Sequence, residues 1–151
     1  MEAGVQLLND EQKERLTKLF SAYACIIAVY QFGSTAHGGA GPLSDLDIAL
    51  LLNEAAPSGA TLARLEGLLA HQICQLLDGQ SRDIDVVSLN RRPLIFQHSV
   101  LRSGRVVYDA DPVTRRLYEW KVIQAYLSFE PTLRWMSRFQ KEGWLRRCGL
   151  R

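Results

Sequence analysis

Residues 33–47 of this 151-residue chain read GSTAHGGAGPLSDLD. The stretch begins with Gly33 and Ser34 at the end of one apolar run, and it closes with Asp45 and Asp47 at the start of another. Its glycines predict an irregular loop, because glycine adopts backbone conformations that other residues avoid. We therefore expect two buried strands joined by a loop, with polar groups at both ends of that loop.

Asp45 and Asp47 are two residues apart on the second predicted strand, so their side chains share one face and are about 7 Å apart. Leu46 and Ile48 are expected to point the other way, into the core. Two carboxylates on one face repel each other unless a cation lies between them, and such oxygen ligands suit Mg²⁺. Taken alone, a pair of aspartates more often closes an exposed turn, so the prediction of a metal site depends on further residues.

A further carboxylate comes from residues 83–87, DIDVV, which are expected to form a strand beside the Asp-Leu-Asp strand. Asp83 and Asp85 share one face of this strand, and both stay candidates. Asp85 is favoured because its apolar neighbours on both sides place it within the strand. Three carboxylates at one sheet edge predict a site for one or two divalent ions. Two ions about 4 Å apart would clamp the attacking and leaving oxygens of a phosphoryl transfer.

The start of the loop adds candidate phosphate-binding groups to the predicted carboxylates. Gly33 lets the backbone approach a phosphate closely, and the Ser34 hydroxyl and the N–H groups that follow are donors for an anion. Gly33-Ser34, ten residues, Asp45-Leu46-Asp47 and a later aspartate in an apolar strand together resemble the DNA polymerase β-like nucleotidyltransferase superfamily. The short chain is similar to the minimal nucleotidyltransferase branch of that superfamily, and the resemblance covers residues 10–110.

The resemblance implies an α+β fold of the polymerase β-like nucleotidyltransferase type, in which a small mixed sheet is flanked by helices. Residues 1–111 would form the minimal nucleotidyltransferase domain. Residues 112–151 would form a C-terminal helical extension that belongs to the same compact unit.

The resemblance also implies an activity, which is transfer of AMP from ATP to a hydroxyl with one or two Mg²⁺ ions. The implied catalytic and metal-binding residues are Asp45, Asp47 and Asp85, and Asp85 would assist deprotonation of the acceptor. The implied nucleotide-binding residues are Gly33, Ser34 and His37.

His37 departs from the pattern, because many minimal members have an arginine at that position. A histidine can donate one hydrogen bond to a phosphate but is mostly neutral at pH 7. The candidates to supply the missing positive charge are Arg82, Arg102 and Arg105.

The chain resembles standalone minimal nucleotidyltransferases, which are typically antitoxins encoded beside a HEPN-family RNase toxin. The resemblance implies that this chain attaches AMP to a tyrosine of such a toxin, with no base to be read in a nucleic acid. Two alternatives stay open. The chain could be a non-catalytic antitoxin that neutralises the toxin by binding, or a small-molecule nucleotidyltransferase of the aminoglycoside type.

The C-terminal segment differs from the rest of the chain in charge and composition. Residues 1–114 hold 9 Lys/Arg and 13 Asp/Glu, a net charge of −4, whereas residues 115–151 hold 9 and 3, a net charge of +6. All three tryptophans lie in this segment, and Trp is enriched at interface cores. We expect a helix from Pro112 that Pro131 ends or kinks. One of its apolar stripes should pack on the domain, and a second should meet a toxin or a second copy of the chain.

Two further expectations concern the start of the chain and its location. Asp10 is expected to cap the first helix. The chain opens with acidic residues and has no apolar stretch long enough to cross a bilayer, which argues against a signal peptide and a membrane protein. The three cysteines, Cys25, Cys74 and Cys148, lack metal-binding spacing, and this favours a reducing, cytoplasmic location.

Overall fold

The computed structural model describes residues 9–33, 45–77 and 83–147, with side chains through residue 138. Five helical segments and four strands follow one another along these residues. Their order is α1 (Asp10–Ser21), β1 (Ile26–Phe32), β2 (Leu46–Leu52), α2 (Gly59–Leu76), β3 (Ile84–Ser88), a 3-10 turn (Leu89–Arg91), α3 (Leu94–Ser103), β4 (Arg105–Asp109) and α4 (Pro112–Arg147). The predicted α+β arrangement, with helices flanking a small mixed sheet, is confirmed.

Helix α1 is capped by Asn9, and the prediction that Asp10 is the cap was wrong. The Asn9 side chain accepts a hydrogen bond from the Gln12 N–H at 2.7 Å, and the Gln12 side chain accepts one from the Asn9 N–H at 3.0 Å. This reciprocal capping box satisfies two backbone donors at once, which a cap at Asp10 could not do with the same partner. Asp10 instead takes the first helical position.

The strands form one sheet in the order β3-β2-β1-β4. Strand β1 is antiparallel to both of its neighbours, whereas β2 and β3 are parallel. Because β2 and β3 run in the same direction, their first residues lie at the same sheet edge. That edge is where the loop after β1 begins and where the loop before β2 ends.

The two faces of the sheet pack against different helices. The side chains of Leu46, Ile48, Leu50 and Leu52 join a buried cluster with residues of α1 and α2. The alternate side chains of β2, beginning with Ala49, join a second cluster with residues of α3 and α4. The prediction that Leu46 and Ile48 face the core is confirmed, and by the same alternation Asp47 belongs to the face that α3 covers.

Among the side chains that the structure describes, helix α4 packs on the domain mainly through one stripe. Val122 is buried, and the Tyr126 ring stacks on His98 of α3 with centroids 3.6 Å apart. The opposite stripe is exposed, with Leu117, Trp120 and Leu127 at 55%, 60% and 54% of their full accessibility.

The helix continues through Pro131 and spans 36 residues, about 54 Å. Of the two expected effects of Pro131, an end of the helix is therefore wrong, and a kink stays a prediction. Proline removes one backbone donor, which would have bonded the carbonyl of Leu127. Leu127 lies on the exposed stripe, where water can satisfy that carbonyl.

A polar network also fixes the first turns of α4 to the sheet. The Tyr30 hydroxyl donates to Glu119 at 2.8 Å, and Arg115 donates to Glu119 at 2.7 Å and to Asp109 at 2.9 Å. Burial and the bond to Glu119 raise the pKa of Tyr30 well above its ordinary value, so the phenol stays protonated. Within the described part of the chain, no helix has the length and apolar character needed to cross a membrane.

Candidate active site

Two of the predicted carboxylates are direct neighbours across the sheet. Asp47 is the second residue of β2, Asp85 is the second residue of β3, and the parallel register pairs their Cα atoms. Neighbouring strands are about 4.8 Å apart, and paired residues of parallel strands project to the same face. The two carboxylates therefore lie side by side on the face that α3 covers.

The other two aspartates lie just before the strands. Asp45 and Asp83 are exposed, and the Leu46 N–H donates to the Asp83 carbonyl at 2.9 Å, which extends the ladder by one step. The negative charge of Asp85 acts on the Asp47 carboxyl more strongly than that of Asp45 does. Register and charge thus favour Asp85 over Asp83 as the partner of Asp47.

The Asp47 carboxyl is the electrostatically perturbed group of this site. Partial burial raises its pKa above the ordinary aspartate value, and the negative charges of Asp85 and Asp45 raise it further. Each cause acts by destabilising the ionised carboxylate. A bound cation would stabilise the ionised carboxylate. It would therefore favour ionisation of Asp47 more than ionisation of an isolated, exposed aspartate.

The donor set fits Mg²⁺ that enters together with a nucleotide. Among the side chains of residues 9–33, 45–77 and 83–138, no three of His, Cys, Asp or Glu converge closely enough to form a metal site by themselves. Mg²⁺ in nucleotide-processing sites is usually held by one or two carboxylates and by substrate phosphates. The Asp47–Asp85 pair supplies that number of carboxylates, with Asp45 next to it.

Gly33 leaves the space that the Asp47 carboxylate occupies. Its φ is +76°, and a Cβ built on it would overlap the Asp47 Oδ2 atom. The neighbouring Phe32 pairs with Asp47 in the register of β1 and β2, which explains the close approach. The sequence suggested a glycine that admits a phosphate, and the structure adds a reason within the protein. Ser34 and His37, the other predicted nucleotide-binding residues, lie outside the described residues.

A cavity of about 390 Å³ opens beside the two paired carboxylates. Its walls come from the ends of β1, β2 and β3 and from the segment that enters α3. The lining residues are Phe32, Asp47, Asp85, Val87, Arg92, Pro93 and Phe96. The Phe32 and Phe96 rings meet edge to face, with centroids 5.5 Å apart and planes at 87°.

Arg92 is a cation of this cavity that the sequence analysis missed. Arg102 and Arg105, which it proposed, are exposed and do not line the cavity, and Arg82 lies outside the described residues. One local signal is that Arg92 directly precedes Pro93, because proline restricts the residue before it to an extended backbone, and Arg92 has a φ of −95° and a ψ of 160°.

Arg92 is held in place from two helices. The Gln97 side chain of α3 donates to the Arg92 carbonyl at 2.6 Å. The Tyr118 hydroxyl of α4 in turn donates to Gln97 Oε1 at 2.5 Å. Helix α4 is thereby connected to the rim of the cavity through two hydrogen bonds in series.

A second cavity, of about 560 Å³, lies at the far ends of β1 and β2, between them and α4. It is larger, and Arg91 and Lys121 line it, but it contains none of the predicted site residues. The chemistry suggested by the sequence therefore belongs to the smaller cavity.

Comparisons with known proteins identify solved structures of similar fold. A toxin–antitoxin crystal structure with AMP-PNP contains a chain of similar fold, with a TM-score of 0.69 and 22% identity, covering 85% of this chain and 98% of that chain. A structure of a tri-AMPylated Shewanella oneidensis HEPN toxin in complex with an MNT antitoxin gives a TM-score of 0.64 and 20% identity, covering 86% and 96%. An MntA–HepT toxin–antitoxin structure gives 0.64 and 20%, covering 86% and 97%.

The comparison with curated proteins found no match. The family model described as "Polymerase beta, Nucleotidyltransferase" matches residues 14–113, which include most of α1, the whole sheet and the three aspartates. This chain belongs to the polymerase beta nucleotidyltransferase family.

Proposed function

We propose that this protein is an Mg²⁺-dependent nucleotidyltransferase that moves AMP from ATP to a tyrosine hydroxyl of a partner HEPN-family RNase toxin, and thereby acts as its antitoxin. The observation that carries this proposal is the pairing of Asp47 with Asp85 beside Gly33. The choice of partner is supported by the shared fold. One similar structure is a toxin–antitoxin pair with AMP-PNP, and in another the HEPN toxin is AMPylated.

Each predicted residue has a role in this proposal. Asp45, Asp47 and Asp85 would hold one or two Mg²⁺ ions, which neutralise phosphate charge when bound. Gly33, Ser34 and His37 would bind the triphosphate. Positioning and charge neutralisation provide most of the catalysis in phosphoryl transfer, so few other groups are required.

The proposed reaction is a single displacement at the α-phosphorus of ATP. The tyrosine oxygen forms a bond to that phosphorus, and the bond from the phosphorus to the oxygen that bridges to the β-phosphate breaks. Pyrophosphate leaves with the electron pair of the broken bond. The phenol proton passes to the Asp85 carboxylate, which lies beside Asp47 at the same edge.

We assign the docking of the toxin to the exposed stripe of α4, which is defined by Val113, Leu117, Trp120, Ile123 and Leu127. These five side chains are each at least 40% exposed. Large apolar side chains that line up on one face of a helix commonly mark a protein interface.

We also assign this protein and its toxin to the cytoplasm, where ATP is available and where the free thiols of Cys25 and Cys74 would stay reduced.

The direct test is incubation of the purified protein with the toxin encoded beside it, ATP and Mg²⁺. Mass spectrometry of the intact toxin follows. We expect the toxin mass to increase by one or more AMP groups, and peptide mapping to locate them on tyrosine. An unchanged toxin mass in a reaction where ATP binding is demonstrated would reject the proposed activity.

Neutralisation by binding alone is the second candidate, and the exposed stripe of α4 favours it because a binding surface needs no active site. The double substitution Asp45→Asn/Asp47→Asn separates the two functions. If AMP transfer is the means of neutralisation, cells that carry the toxin and this variant should stop growing. If growth continues as with the unaltered chain, occlusion is sufficient and the enzymatic proposal is rejected.

A further inference from the structure

We propose that Arg92 is a nucleotide-binding residue of this site, whose guanidinium binds phosphate oxygens of ATP while the same phosphates are held through Mg²⁺ at Asp47 and Asp85. This inference rests on the proposed function, since it names a further residue for the substrate of that reaction. The observation that carries it is the place of Arg92, which lines the same cavity of about 390 Å³ as the two carboxylates.

The loop that joins the two ends of the site supplies little positive charge. The stretch from Gly33 to Asp47 contains no lysine or arginine, and its one basic side chain is His37, which is mostly neutral at pH 7. A triphosphate carries several negative charges, and backbone N–H groups and hydroxyls bind it without neutralising them. Apart from a metal ion, a full positive charge for the phosphates therefore comes from another segment of the chain.

The segment between β3 and α3 places such a charge at the cavity. Arg92 follows the 3-10 turn at the end of β3 and directly precedes Pro93. Its side chain lines the cavity together with Asp47 and Asp85. The cavity has the size of a small-molecule pocket, so a ligand held at the carboxylates is within reach of this arginine. A planar guanidinium can donate two parallel N–H groups to phosphate oxygens, a geometry that an ammonium group lacks.

The positive charge of Arg92 is not used to neutralise the two aspartates. Within the described part of the chain, Arg92 forms no ion pair with Asp47 or Asp85. An arginine that served only to neutralise these carboxylates would lie against them, with N to O distances of about 4 Å or less. The cavity instead presents two negative groups to a cation and one positive group to an anion, and a metal-bound phosphate combines both charges.

The backbone of Arg92 is fixed before any ligand binds. Its N–H donates to the Leu89 carbonyl at 3.1 Å, and its carbonyl accepts a hydrogen bond from the Gln97 side chain at 2.6 Å. The Gln97 N–H also donates to the Pro93 carbonyl at 3.0 Å, which holds the first turn of α3 to this segment. A binding group whose backbone is already ordered loses less conformational entropy when it binds. Because these bonds use only backbone atoms of Arg92, a change of its side chain leaves them intact.

An acidic side chain of the toxin is the other group that this arginine could bind. The proposed reaction favours the phosphates, because Mg²⁺ brings them to the cavity that Arg92 lines with Asp47 and Asp85. A carboxylate of the toxin would have no such link to the site, and the two aspartates would repel it.

The test compares Arg92→Ala with Arg91→Ala. The two arginines are adjacent and exposed, but Arg91 lines the cavity at the far ends of β1 and β2. For both variants we would measure the Kd of ATP with Mg²⁺ by titration calorimetry, KM for the toxin and the melting temperature. We expect Arg92→Ala to raise the Kd of ATP about 10- to 100-fold, because loss of a hydrogen bond between charged groups commonly costs that much. Arg91→Ala should leave all three values unchanged.

Two further measurements separate a phosphate contact from a structural role. Arg92→Lys keeps the charge but not the planar pair of donors, so it should recover part of the ATP binding. Salt screens the attraction between exposed charges, so the Kd of ATP should rise less steeply with salt concentration in Arg92→Ala than in the unaltered protein. A salt dependence identical to that of the unaltered protein would contradict the contact.

The outcomes separate the inference from the proposed function. An unchanged Kd of ATP in Arg92→Ala, while the unaltered protein transfers AMP to the toxin, overturns the inference and leaves the function intact. A higher KM for the toxin with an unchanged Kd of ATP assigns Arg92 to an acidic group of the toxin and also overturns it. Weaker ATP binding in Arg92→Ala, with no transfer by the unaltered protein, rejects the proposed transfer and supports Arg92 as a nucleotide-binding residue.

Discussion

At the scale of single residues, Gly33 and Asp47 form the tightest fit in the site. We predict that Gly33→Ala destabilises the protein by about 1–3 kcal/mol, because alanine is strained at a φ of +76° and its Cβ would overlap the Asp47 carboxylate. Transfer activity should fall with it. Urea unfolding followed by circular dichroism measures the effect.

Gly67→Ala is the matched control for this substitution. Gly67 lies within α2 and has no atom within 4 Å of an added Cβ, so alanine should stabilise the helix by about 0.5–1 kcal/mol. If Gly33→Ala were as stable as the unaltered protein, the close contact between Gly33 and Asp47 would be refuted.

The ionised Asp47 carboxylate should lower the free energy of unfolding of the protein. Its raised pKa means that the folded protein binds the proton of this carboxyl more tightly than the unfolded chain does. The free energy of unfolding therefore falls as pH rises from the ordinary aspartate pKa through the raised one, and it stays lower above that window.

We predict from this that Asp47→Asn raises the free energy of unfolding at neutral pH and abolishes transfer. The variant should show little gain at low pH, where both forms are neutral at this position. Urea titrations at several pH values, without and with Mg²⁺ and ATP, provide the measurement. A variant that is less stable than the unaltered protein at pH 7 would contradict the assigned cause of the pKa shift.

At the scale of secondary-structure elements, the connection from α4 to the cavity yields a prediction. Tyr118→Phe removes the hydroxyl that orients Gln97, and Gln97 holds the Arg92 carbonyl. We expect a loss of about 1 kcal/mol in stability and lower transfer, because Arg92 is then less well fixed.

Tyr23→Phe provides the control, because the Tyr23 hydroxyl, in the turn after α1, makes the same kind of bond to Gln72 of α2 at 2.9 Å. Its loss should cost similar stability without an effect on transfer. Chemical denaturation and initial rates of AMP transfer measure the two quantities. Equal rates in Tyr118→Phe and Tyr23→Phe would show that the connection has no part in catalysis.

Some features of the strands and of the site could be predicted from the sequence, and others could not. Apolar runs predicted the strands, and alternation along β2 predicted which of its residues face the core, because both depend on local pattern. The Asp85 strand was expected beside β2, but the register that pairs Asp47 with Asp85 was not specified, because register depends on how distant segments pack. Arg92 and the contact of Gly33 with Asp47 were not predicted, because they arise only when distant segments pack together.

At the scale of the whole molecule, α4 divides into a packed stripe and an exposed one, and the basic charge of residues 115–151 accompanies it. The packed stripe is connected to the sheet through Glu119 and Arg115 and to α3 through Tyr126. The exposed stripe lies on the other side of the helix, although its Leu117 also borders the larger cavity beside β1 and β2. Its apolar side chains are therefore available to a partner without disturbance of the fold.

The last prediction tests that division. Leu117→Ala/Trp120→Ala should weaken toxin binding about 30-fold or more, since exposed tryptophans at interface centres carry much of the binding energy. Stability and ATP binding should change little, because both side chains are more than half exposed. Leu68→Ala is the matched control, as Leu68 is 48% exposed on α2, which packs on the opposite face of the sheet. Titration calorimetry measures toxin and ATP binding, and light scattering measures the mass of the protein alone. If the double variant binds toxin normally but changes from dimer to monomer, the stripe joins two copies of this chain and the toxin docks elsewhere.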